Sequence, residues 1–201
     1  GFSAGLWGST SLMDAGNQIN RGNTPPYFNA IEREILGIGK PVILKNDGGY
    51  ELKPINEDGK YYKIESDTEG EYYLIECRSN KRWDEGIGGA GMLVYHVDKS
   101  VRASGHSETY KNTLRAIDRW TFANEVNCRP DHQCADLIEA DRRSDLIQDV
   151  EAFRNVRGIF FPQDNAINLS SSSHQSFSYW NGVRHDIALT GISWDGDNIC
   201  F

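Results

Sequence analysis

Positive charge is in short supply in this sequence. Lysine and arginine number 21 against 29 aspartates and glutamates, a formal net charge of -8, and the pI lies near 5.1. A nucleic-acid binder carries a basic stripe, and none is present. An anionic membrane surface would repel the chain for the same reason. No apolar run approaches the roughly 20 residues that span a bilayer, so no membrane span is expected. The first residues, Gly1 to Trp7, hold neither a basic cluster nor a long apolar stretch and do not read as a signal peptide. A start at Gly-Phe-Ser without methionine fits a processed product or a fragment. Cysteine is sparse: Cys77, Cys128, Cys134 and Cys200. Cys128 and Cys134 flank Pro130-Asp131, a pair suited to a turn, so they form the disulfide candidate; two unbridged thiols in a loop are the alternative. A bridge over so short a loop would contribute roughly 2 kcal/mol and would mark an oxidising compartment. No second close cysteine or histidine pair completes a four-ligand zinc site.

What is present suffices for a core. Hydrophobic residues make up 38% and aromatics 11% of 201 residues, enough for one domain or a small domain with an appendage. Residues 1–23 read as loops. Thr24-Pro25-Pro26 looks like a helix start, and Tyr27, Phe28, Ile31, Ile35 and Leu36 recur at helical spacing, with Gly37 or Gly39 as the stop. Strand patterns follow at Val42–Leu44, Tyr50–Leu52, Lys60–Glu65 and Glu71–Cys77, the last two forming a hairpin about the turn cluster 67–70. Gly91–Val97 is apolar on both faces and reads as a central strand. Further strands are expected at 136–140, 177–180, 187–189, 192–194 and 199–201, short helices at 113–123 and from Ser144 through Phe153, and surface loops at 99–118 and 170–173. The sum is mainly β with one helix near the start, and a β-sandwich-like domain is the natural architecture.

These pieces, taken in order, resemble one family. Ser11-Leu12-Met13-Asp14-Ala15-Gly16-Asn17 is similar to the Met-turn segment of the immune inhibitor A family of secreted bacterial zinc metallopeptidases. Thr24 to Tyr27, Glu32-Arg33 and Leu36-Gly37 resemble the helix that closes that catalytic domain. Glu71 to Arg78 looks like its E-Y-x-L-x-E-x-R strand, with Trp83-Asp84 after it, and Gly91 to Asp98 looks like its G-M-L-x-x-H-V-D strand. Trp120, Asn124, Asn127, Ile138 to Asp141, Phe161-Pro162 and Gly196 to Phe201 resemble later landmarks.

The resemblance implies a division into 1–39, the end of a catalytic domain, and 40–201, an attached β-domain that braces it and borders its cleft. It implies a secreted, periplasmic or cell-surface hydrolase acting on protein or peptide substrates. A His-Glu-x-x-His helix would hold the zinc and supply the general base. That motif is absent from this chain, whose five histidines (His96, His106, His132, His174, His185) include no pair four apart. The ligands would therefore precede Gly1, the missing N-terminal catalytic portion would be the partner, and the chain alone should be inactive. By resemblance Met13 is the floor beneath the metal ligands. Asp14, His96 and Asp98 are candidates for the layer around such a site, because His96 and Asp98 share a strand face; a histidine bonded within the β-domain is the plainer reading. Calcium could be held by Asp195-Gly196-Asp197-Asn198, although a solvated turn fits that stretch as well. Glu32-Arg33 could form an ion pair where the helix meets the β-domain. The competing class is a non-catalytic β-sandwich module binding glycan or protein through its five tryptophans and nine tyrosines. Cys77, with Tyr73 and Ile75 on its face, should be buried and inert.

Overall fold

A computed structural model describes residues 8–100, 126–127, 132–141, 156–163, 166–174 and 176–201. The fold is mainly β. Its centre is a five-stranded sheet in the order β1-β3-β4-β5-β6, built from β1 (Lys40–Ile43), β3 (Lys60–Glu65), β4 (Glu71–Arg78), β5 (Gly91–Asp98) and β6 (Ala135–Leu137). β3 and β4 are the antiparallel hairpin that the turn residues predict, with Tyr62 opposite Ile75 and Glu65 opposite Tyr72. β4 and β5 pair along their full lengths, from Glu71 opposite Asp98 to Arg78 opposite Gly91. Both strands are buried throughout, which is why β5 reads as apolar on two faces. β1 runs parallel to β3 at the edge. Lys40 N donates to Gly59 O and Leu44 N to Lys63 O, so the odd-numbered residues of β1 turn outward. Pro41, which has no N–H, sits where it blunts the open edge.

Strand alternation sorts the core into two layers. On one face Tyr72, Leu74, Leu93, Tyr95, Val97 and Leu137 pack against Ala30 and Ile31 of helix α1 (Ala30–Leu36), Ile55 of α2 (Ile55–Asp58), and Ile159 and Phe160. On the other, Tyr62, Ile64, Tyr73, Ile75, Met92 and Val94 pack against Leu52, Ile199, Ile192, Leu169, Leu189 and Phe177. Those partners come largely from two small sheets: β2 (Glu51–Leu52), β10 (Asn198–Cys200) and β9 (Ser193–Asp195) in one, β7 (Leu169–Ser170) and β8 (Ala188–Leu189) in the other. β10 pairs with both β2 and β9.

Several local expectations are corrected. The helix starts at Ala30, not at Thr24. Asn29 is its N-cap: its side chain accepts from Glu32 N while the Glu32 carboxylate accepts from Asn29 N, a capping box. Gly37 ends it in the left-handed conformation, as expected. With only seven residues, the helix leaves Ile35 and Leu36 exposed instead of extending the apolar stripe. Phe177–Trp180 forms a turn, not a strand. In place of the ion pair expected of Glu32-Arg33, the Glu32 carboxylate binds Ser11, Met13 and Asn29, while Arg33 Nε donates to the Phe28 carbonyl. The helices expected at 113–123 and 144–153 lie outside the described residues, as does Cys128 of the disulfide candidate; its mate Cys134 is buried.

Candidate functional site

Two groups of polar side chains converge, one on each face of the central sheet. The first binds residues 8–32 to it. Ser11 and Gly16 close a tight turn, Gly16 N donating to Ser11 O at 2.9 Å. A Cβ at Gly16 would stand 2.2 Å from that carbonyl, so only glycine fits. Asp14 accepts from Gly8 N. Glu32 Oε1, buried, accepts from Ser11 Oγ at 2.7 Å and Met13 N at 2.9 Å. The methionine's backbone is fixed while its side chain is 78% exposed. Core packing is therefore not the role of Met13.

Beneath this turn lies a buried ionic network. Arg78 donates to both Asp84 oxygens, at 2.9 and 2.6 Å, to the Thr10 and Tyr27 carbonyls, and to Glu76 Oε1 at 3.3 Å. Asp84 also accepts from Tyr27 N, and Glu76 from Ala30 N and the Tyr95 hydroxyl. Burial lowers the pKa of Arg78, but the charge and hydrogen bonds of Asp84 outweigh it and hold the guanidinium above its usual range. Burial raises Glu76, only partly offset by Arg78 and its donors. Thus Glu76, Arg78 and Asp84, quoted in the sequence only as landmarks, tie the N-terminal segment to the sheet.

The second group lies on the opposite face. Tyr73, His96 and Asp136 stand side by side across β4, β5 and β6. His96 Nε2 donates to Glu71 Oε1 at 2.8 Å, an oxygen that also accepts from Trp180 N. His132 Nε2 donates to Asp98 Oδ2 at 2.7 Å. The carboxylate partners of these two rings fix the nitrogen that carries the proton. Trp180 stands between the two imidazoles, 5.5 Å from His96 and 4.6 Å from His132, and Tyr73 continues the stack at 4.6 Å from His96. His185 meets Phe177, Tyr179 and Tyr73, and burial, then nearby His96, lowers its pKa from 6.5. His96 and Asp98 do share a face, but each is bonded to a different residue, Glu71 and His132. Sequence reasoning missed those two partners because the pairings join separate elements.

Beside the stack opens a cavity of about 720 Å³, lined by His96, Asp136, Tyr179, Trp180, Arg184 and the serine turn 171–173. Read from sequence as a low-complexity loop, that turn is ordered by its own hydroxyls: Ser173 Oγ accepts from Ser170 N, Ser170 Oγ from Ser173 N. Elsewhere, Asp197 of the proposed calcium loop accepts from Lys81 Nζ at 2.5 and 2.7 Å. Cys77 is buried and its thiol is pushed up to about 12 by burial. Among the described residues, no group of three or more histidine, cysteine or acidic side chains could hold a metal ion, so the zinc that the family resemblance implies has no ligand set among them. No helix formed by the described residues is long and apolar enough to cross a membrane. No protein-family model, curated protein or solved structure matches the chain.

Proposed function

We propose that this chain is the C-terminal portion of a secreted zinc metallopeptidase, in which residues 1–39 complete the catalytic domain and the β-domain of residues 40–201 braces them. The observation that carries this reading is Met13: a largely exposed apolar side chain on a turn whose backbone is held by a buried carboxylate. Ile35 and Leu36 stand three and four residues beyond Glu32, on the helix face that meets the Met13 turn, and they are 44% and 53% exposed. A fixed turn bearing a methionine, bordered by bare aliphatic side chains, is a surface shaped for another part of the protein. The Arg78 network explains how a β-domain would brace it. Zinc and its ligands belong to the upstream portion in this reading, and no catalytic step is assigned to residues of this chain.

The test is to express the parent reading frame, upstream sequence included, and to measure bound zinc and hydrolysis of an unstructured protein such as casein. The expected result is stoichiometric zinc and chelator-sensitive cleavage, with none from the 201-residue chain alone. Met13→Ser in the long form should weaken zinc retention about tenfold, as loss of a supporting residue does. A long form without zinc or cleavage, or one in which Met13→Ser retains zinc as tightly as the parent, would overturn the reading.

A further inference from the structure

The cavity beside Trp180 lies on the face of the sheet opposite to Met13, so it cannot border a cleft built over the Met13 turn. It calls for a ligand of its own. Its volume of about 720 Å³ falls in the range of small-molecule sites. The lining mixes an acceptor, the Asp136 carboxylate; a donor, the Arg184 guanidinium; and groups that do both, the serine hydroxyls and the Gln133 amide. Tyr179 adds aromatic surface, and aromatic faces carry partial negative charge that attracts weakly positive C–H groups. A phosphate or sulfate would meet a single arginine in this lining, on a chain of net charge -8, and gains little there. A ligand whose hydroxyls donate and accept alternately, and whose ring presents C–H faces, uses every group present.

We infer that this cavity is a binding site for a neutral saccharide, with Asp136, Arg184 and the serine hydroxyls of the 171–173 turn taking its hydroxyls and Tyr179 contacting its ring. The inference is independent of the peptidase reading: a site on this face would tether the protein to a glycan surface whatever the opposite face does.

The test is NMR of the full ¹⁵N-labelled chain titrated with defined neutral oligosaccharides (cellotetraose, chitotetraose, mannotriose and xylotetraose), each to about 10 mM, a range that detects weak sites. The Trp180 indole resonance, assigned with Trp180→Phe, is the reporter. At least one sugar should shift it saturably. Arg184 is exposed, so Arg184→Ala should keep the native spectrum yet bind that sugar about tenfold more weakly, the loss expected for a hydrogen bond to a charged group. A reporter that no sugar moves would overturn the proposal. So would a shift insensitive to Arg184→Ala, or a saturable response to sodium sulfate or a short peptide in place of sugar.

Discussion

At the residue scale, His185 and Met13 are opposite cases. Met13 is exposed where an apolar side chain is expected inside, and its substitution in the isolated chain should change stability by no more than about 0.5 kcal/mol, as for an ordinary surface position. His185 is the reverse, a titratable ring packed among Tyr73, Phe177 and Tyr179. Its pKa lies below 6.5 in the folded state because burial, and then His96, disfavour the charged form. The unfolded chain therefore binds the extra proton first. Stability from this residue is complete above 6.5 and falls as pH drops from 6.5 toward the lower folded value. Urea unfolding of the wild type and His185→Gln, compared near pH 7.5 and pH 5, should show the gap between them changing against the wild type at the acid end. Parallel pH profiles would remove His185 from the acid response.

At the element scale, β5 shows how a strand is fixed by what crosses its start. Gly91 has φ +145°, and a Cβ there would lie 2.5 Å from the Phe161 carbonyl, which accepts from Met92 N. Gly91→Ala should cost about 1–3 kcal/mol through backbone strain, seen as a lower urea midpoint with an unchanged slope; an unaffected midpoint would show that Phe161 yields freely. β3, β4 and β5 were legible because their apolar runs are long and bounded by turn residues. Gly37 was legible as a stop for the same local reason. The helix start was misplaced because Pro25-Pro26 imitates a first turn, although Asn29-x-x-Glu32 spells a capping box. Phe177–Trp180 carries strand-like aromatics that serve a turn instead. Nothing local could couple His132 to Asp98, or Arg78 to Thr10, because such pairs exist only once distant elements meet.

At the scale of the whole molecule, Arg78 is the centre of the network that links the N-terminal segment to the sheet. Arg78→Met would leave Asp84 and Glu76 buried without their cation, and removing one partner of such a group costs about 3–5 kcal/mol. The same change should release residues 8–29 to proteolysis before the sheet unfolds, read by limited trypsin digestion with mass mapping of the cuts. A variant within about 1 kcal/mol of the parent and equally resistant would mean that the apolar contacts of Ala30 and Ile31 hold the segment by themselves.

The layer behind the sheet is closed by pairings between residues far apart in the chain. Leu52 of β2 lies opposite Ile199 of β10, and Tyr50 and Phe201 exchange backbone hydrogen bonds in both directions. A ribosome delivers β2 well before its partner β10, the last of the elements described here. Until then Leu52, Tyr62 and Ile64 have no cover from that side. The nascent chain thus carries an open, sticky face from the synthesis of β2 until that of β10, a period in which a holding chaperone would find its substrate.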